Sequence, residues 1–240
     1  RRALPNGDEF VFTNASPEAV INPSTNQAAA PKFPFSHPGT VDANAHRREQ
    51  LSQWLTAKEN PYFARSIVNR YWSYFLGRGI IDPVDDIRAS NPASNSELLD
   101  ALTKDFTGNG YDLKRLIRII CTSATYQRSL ETNEWNDDDT INYSHAVPRR
   151  LSAEQLYDSI IQATGAPRAL PGVPAGFRAS ELPDSQVEVA FLDMFGRPPR
   201  ESPCECERST DVSLGQTLNM VNGPTIGDAI AHPEGLIAKA

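Results

Sequence analysis

The chain lacks most of the features that would name a chemistry outright. Its 240 residues hold only 3 cysteines, Cys121, Cys204 and Cys206, too few for a disulfide framework. No C-x-x-C-H occurs, so this chain attaches no c-type haem of its own. There is no G-x-S-x-G and no phosphate loop, which removes the serine nucleophile elbow and the common nucleotide cradle. No run of about 18 apolar residues is present, so no segment reads as a membrane-spanning helix. Positive charge is in the minority, with Lys+Arg 23 against Asp+Glu 30 and a net charge of -7. That balance argues against nucleic acid or an anionic membrane as partner. His46 and His145 belong to no two-histidine helical spacing, so a metal site built on them is not indicated.

What is present is enough apolar material for a core: 39% hydrophobic residues, with 10 Phe and 3 Trp. The 19 Pro are unevenly spread and mark long irregular connections. The sequence opens RRALPN without Met, carries no signal-type segment there, and stops at GLIAKA inside an expected helix. Both ends read as cuts through a longer protein, so a missing targeting signal carries little meaning.

The stretch from Asn60 to Asp86 organises the rest. Asn60 is a good N-cap, Pro61 suits the first helical position, and Gly77 suits a left-handed stop. Between them Phe63, Ile67, Tyr71 and Tyr74 recur at helical spacing, as do Val68, Trp72 and Phe75. Two such stripes predict a central helix over 61–76. The same helix carries Arg65, Asn69 and Arg70, which need partners if they are buried. Asp82, Asp85 and Asp86, just beyond the turn, are the nearest carboxylates.

Residues 1–42 read as an extended arm or linker, with one strand candidate, Asp8 to Thr13, and with Phe33 and Phe35 pinning the arm down. Residues 43–240 read as one helical domain. Its elements are a helix over Ala43–Lys58 facing inward through Leu51, Trp54 and Leu55, the central helix, a helix capped by Ser94 and Glu97, and a helix capped by Asp112 that extends towards Tyr126. Residues 129–147 are polar and acidic and predict a solvated excursion. Ser152 and Gln155 open a helix with Leu156, Ile160 and Ala163 inward, closed by Gly165. Alternation of Val187, Val189 and Phe191 predicts a short strand over Gln186–Met194, able to pair with the amino-terminal one. Ser213 and Gln216 open a last complete helix with Leu214, Leu218 and Val221 as its apolar face, followed by a truncated one. The expected fold class is mainly α: five or six helices around the central helix, long Pro-rich loops and one small β pairing.

Three segments carry a likeness: NPYFARSIVNRYWSYFLGRGIIDPVDDI from Asn60, SELLDALTKDF with YDLKRLIRIICTSATYQRS from Ser96, and FGRPPRESPCECERSTDVSLGQTLNMVNGP from Phe195, with RRLSAEQLYDSI from Arg149 also fitting. Through them the chain resembles the planctomycete-type domain of unknown function found at the C-terminal end of large proteins that begin with a cytochrome c domain. The likeness covers about residues 43–240. One departure is Asn95, where relatives tend to carry His before the ELLD helix. The resemblance implies a helical fold, an extracytoplasmic setting (periplasmic or cell surface), and a haem c held by a neighbouring domain with no cofactor in this chain. It implies no activity.

Two groups of residues stand out as candidate sites, and no catalytic residue is assigned. Arg65, Asn69, Arg70, Arg78, Asp85 and Asp86 form either an anion or sugar pocket, with guanidinium groups binding and a carboxylate as base, or a structural network locking the helix to its turn. Phe195, Arg197, Arg200, Cys204, Cys206 and Arg208 form an electropositive irregular loop suited to a partner surface. The Cys-x-Cys pair offers two thiolates where a structural zinc takes four ligands, so it is read as a loop-shaping thiol pair or disulfide and not a metal site. Trp54, Trp72 and Tyr71 could form a sugar platform, but their helical spacing reads as core. Two functions follow. One is a non-catalytic module docking the upstream cytochrome c-type domain or a polysaccharide. The other is a substrate-binding or catalytic domain acting on polysaccharide or in redox chemistry.

Overall fold

A computed structural model describes residues 2–3, 9–10, 20–36, 41–182, 185–199 and 212–240. Its regular structure is mainly α-helical with small antiparallel β pairings, and the chain divides into two units, residues 1–64 and 65–240.

In the first unit, β1 (Arg2–Ala3) pairs with β2 (Glu9–Phe10), and β3 (Val20–Ile21) pairs with β4 (Ala28–Ala29). The expected amino-terminal strand is therefore present at Glu9–Phe10, and its partner is Arg2–Ala3. Helix α1 (Arg47–Thr56) is shorter than expected because His46 caps it. The His46 imidazole accepts from the Arg48 N–H while Glu49 accepts from the His46 N–H. Of its expected apolar face only Trp54 is buried, with Leu51 and Leu55 exposed. Phe33 stacks on Trp54 at 5.1 Å, Phe35 tilts against it at 4.8 Å, and the Trp54 indole donates to the Phe35 carbonyl at 3.1 Å. The segment holding both phenylalanines is thus docked on α1, as expected.

The central helix, α2 (Phe63–Leu76), starts where Asn60 Oδ1 accepts from the N–H groups of Tyr62 and Phe63 at 2.9 and 3.2 Å. It stops at Gly77, whose φ of +82° is the left-handed conformation that glycine adopts without strain. Its most buried positions are Ala64, Val68, Asn69 and Trp72, while Tyr74 is exposed. Helix α3 (Ser96–Gly108) is capped by Asn95, not Ser94: Asn95 Oδ1 accepts from Leu98 N–H at 2.9 Å, and Ser94 Oγ donates to the Ile80 carbonyl instead. Helix α4 (Leu113–Thr122) is capped by Asp112 and ends at Ser123, short of Tyr126. Leu99, Leu102 and Phe106 of α3 and Leu116 and Ile120 of α4 are buried, as are Ile80 and Ile81 after α2.

Residues 129–147 are only partly the solvated excursion expected of them. Trp135 is 85% exposed. The two ends nevertheless close on each other, Ala146 N–H donating to the Ser129 carbonyl at 2.9 Å and Arg128 to the Ser144 carbonyl at 2.7 Å. Tyr143 packs edge-on against Trp72 at 5.5 Å. The segment is a closed loop resting on the end of α2.

Helix α5 (Ala153–Thr164) has the expected Ser152–Gln155 capping box and the Gly165 stop, with φ +66°. Ala163 is exposed, contrary to expectation, and Ile161 and Thr164 are buried. Beyond it lies a single 3-10 turn, Ala179–Glu181, whose start is held by the Asp158 carboxylate. The expected strand Gln186–Met194 is instead an extended approach leading into α6 (Ala190–Met194), with Val189 at its N-cap. Val187 and Val189 alternate because they enter a core extended. Phe191 and Phe195 then follow at helical spacing and stack at 4.3 Å. Last come α7 (Leu214–Asn222), α8 (Pro224–Ala231) and α9 (Leu236–Lys239).

The orientation of α7 corrects the sequence reading. Leu214, Leu218 and Val221, expected inward, are 74%, 58% and 68% exposed. The reason is Gln216. Its amide donates to the Met194 carbonyl at 2.9 Å and its oxygen accepts from Arg150 at 3.0 Å, which anchors that side of the helix inward. Leu214, Leu218 and Val221 lie on the opposite side.

Candidate functional site at the end of the central helix

Asn69 is the polar centre of α2. It is fully buried, and its side chain meets the chain that returns after Gly77. Asn69 Nδ2 donates to the carbonyls of Ile81 at 2.8 Å and Val84 at 3.1 Å, and Oδ1 accepts from the Ile81 N–H at 2.8 Å. The amide therefore copies a strand partner for a loop that has none. A β-carbon at Gly79 would lie 2.3 Å from the Ile81 carbonyl oxygen and 3.0 Å from the Asn69 amide, so glycine is required for this close approach.

The charged residues expected to share one site are instead separate pairs. Arg70 pairs with Asp85, as the spacing suggested. Burial pulls its pKa down, but bonds to Tyr74 and Asp85 outweigh that and raise it. Asp86 pairs with Arg88 at 2.7 Å. Arg65 pairs with Asp100 of α3 at 2.7 Å, a carboxylate distant in sequence. The pairs are partly solvated, so they tie elements together without forming a buried charge relay.

Arg78 differs. A cavity of about 420 Å³ opens beside it where α2 ends. Phe75, Tyr126 and Tyr143 supply aromatic wall, and Asp82, Asp139, His145 and Arg149 lie around it. Arg149 is committed to the last turn of α2, donating to the carbonyls of Tyr74 at 2.6 Å and Phe75 at 2.7 Å. Asp139 is committed as well. It accepts from the N–H groups of Ile141, Asn142 and Ser144, and its carboxyl is held well below the usual range by Ser144, then by the Asn142 and Ile141 amides. The Tyr143 hydroxyl donates to the Gly79 carbonyl at 2.8 Å, and burial raises its pKa. Tyr143 takes φ +56°, and its ring meets Trp72 edge-on.

Residues 47–235 match the sequence pattern of PSD1, a protein of unknown function (DUF1553). The chain belongs to the PSD1 family. No curated protein and no solved structure matches it.

The second candidate group of this PSD1 chain lies partly outside the described residues, namely Arg200, Cys204, Cys206 and Arg208. The two that are described face inward. Phe195 is buried against Phe191. Arg197 is 5% exposed, pairs with Asp193 at 2.6 Å and donates to the Val187 carbonyl at 2.7 Å. Neither presents itself to a partner. Trp54 and Trp72 are core residues, as their spacing indicated. His145, which sequence reasoning set aside, lines the cavity beside Arg78. Only the long-range return of the 129–147 loop brings it there, and no local pattern encodes that. Among the described residues no group of His, Cys, Asp and Glu is arranged to hold a metal, and no helix is long and apolar enough to cross a membrane.

Proposed function

We propose that this PSD1 domain is a non-catalytic docking module that binds a neighbouring haem c domain of the same polypeptide, in an extracytoplasmic protein of the planctomycete type. The observation that carries this reading is the apolar face of α7. Leu214, Leu218 and Val221 occur at i, i+4 and i+7 on one side of a helix whose other side is anchored through Gln216. Val212, just before the helix, is 73% exposed as well. An anchored helix with a bare apolar stripe is the form that helix-in-groove recognition takes. The haem domain is the partner the family resemblance supplies. Arg197 is buried and takes no part in this surface.

The test is a titration of the separately expressed haem domain against this chain. Leu214→Ser with Leu218→Ser should weaken association about tenfold or more and leave the melting temperature near the parent value, because both side chains are exposed. Unchanged affinity would refute docking through α7.

A further inference from the structure

We propose that the cavity at the end of α2 is a binding site for a small carboxylate carried on a ring, with Arg78 as its charge partner. This site is separate from the α7 surface and does not depend on the docking reading. Five of the described arginines are engaged elsewhere. Arg65, Arg88, Arg115 and Arg197 each meet a carboxylate at 2.6–2.8 Å, and Arg149 has two carbonyls. Arg78 has no such partner. Its Nη2 is 3.8 Å from Asp82, beyond hydrogen-bond distance, its Nη1 reaches the Thr140 carbonyl only at 3.5 Å, and its buried Nε has no partner. A guanidinium carries five N–H donors in a planar fork. Here most of them are uncommitted on the wall of a cavity, and the charge of Arg149 lies on the same wall.

Two further features select the ligand. The carboxylates around the cavity are not equivalent. Asp139 is saturated by its own loop, whereas Asp82 stands near Arg78 without closing on it, so an incoming carboxylate can take the guanidinium. The remaining wall is apolar or aromatic, from Phe75, Leu76, Tyr126 and Val147, and receives a ring face. At about 420 Å³ the space lies near the small end of ligand pockets, which suits a monosaccharide-sized body. A sugar acid and an aromatic acid share this chemistry.

The experiment is calorimetric titration of the chain with galacturonate and with benzoate, each beside its neutral counterpart, galactose and benzamide. One acid at least should bind saturably while its neutral counterpart does not. Binding of galacturonate alone marks a sugar site, and binding of benzoate alone an aromatic-acid site. Arg78→Gln should weaken the bound acid about tenfold or more, as expected for loss of a charge-assisted bidentate contact. Asp82→Asn, which removes the competing carboxylate, should tighten it, and this arm stands even if Arg78→Gln folds poorly. The proposal is overturned if neither acid binds, or if an acid binds with parent affinity in both variants.

Discussion

Replacing Asn69 by leucine, nearly equal in size, isolates the role of its amide. The substitution leaves the Ile81 N–H, the Ile81 carbonyl and the Val84 carbonyl without their partner. Each buried group so stranded costs about 1–3 kcal/mol. The Val84 carbonyl is only partly buried, and the leucine regains about 1–2 kcal/mol of transfer free energy. The expected net loss is about 3 kcal/mol, which for a unit of this size corresponds to a fall in melting temperature of about 6–12 °C. Asn69→Asp sharpens the test. A carboxylate keeps the acceptor for Ile81 N–H but turns an oxygen towards two carbonyls, with no cation bonded to it. Its pKa is raised in the folded state, so the stability associated with the neutral form is lost as pH rises. Melting followed by circular dichroism, at about pH 5 and about pH 8, should show Asn69→Asp more damaged at the higher pH and Asn69→Leu equally damaged at both. An Asn69→Leu protein melting within about 2 °C of the parent would refute the view that this amide clamps the returning chain.

Other outcomes follow from the same geometry. Arg197→Ala should destabilise by about 1–2 kcal/mol because the Val187 carbonyl loses a buried donor; a melt equal to the parent would show the side chain is free, as the sequence suggested. Arg70→Met should cost only about 1 kcal/mol, since its pair with Asp85 is partly solvated, and a loss several times larger in chemical denaturation would show a buried network after all. Asp139 has a depressed pKa, so its contribution is complete above the ordinary carboxylate value of about 3.9 and is lost as pH falls below it. The gap in melting temperature between parent and Asp139→Asn should therefore close on acidification, and parallel curves would contradict this.

What could be read from the sequence was local. Asn60, Gly77, Asp112, Ser152 and Ser213 end or begin helices as expected, because a cap needs only its own next turn. Even there Asn95 displaced Ser94, since the Ser94 hydroxyl is taken by the Ile80 carbonyl. What depended on distant residues was illegible. Arg65 was expected near the acidic turn, yet its partner is Asp100, one helix on. Alternating Val187, Val189 and Phe191 resembled a strand, because alternation cannot distinguish a strand from an extended entry into a short helix. The apolar stripe of α7 is legible as a stripe but the side it faces is not, because a single buried glutamine sets the helix's rotation. The cavity needs both Arg78, just past the end of α2, and the return of Tyr143, and those two residues are 65 apart.

The most direct measurement of the docking claim is hydrogen–deuterium exchange on this chain with and without the separately expressed haem c domain. Added protection is expected in α7, over Leu214–Asn222, with the cavity-lining residues around Arg78 and Tyr143 unchanged. A bound state in which α7 exchanges as fast as in the free chain would contradict it.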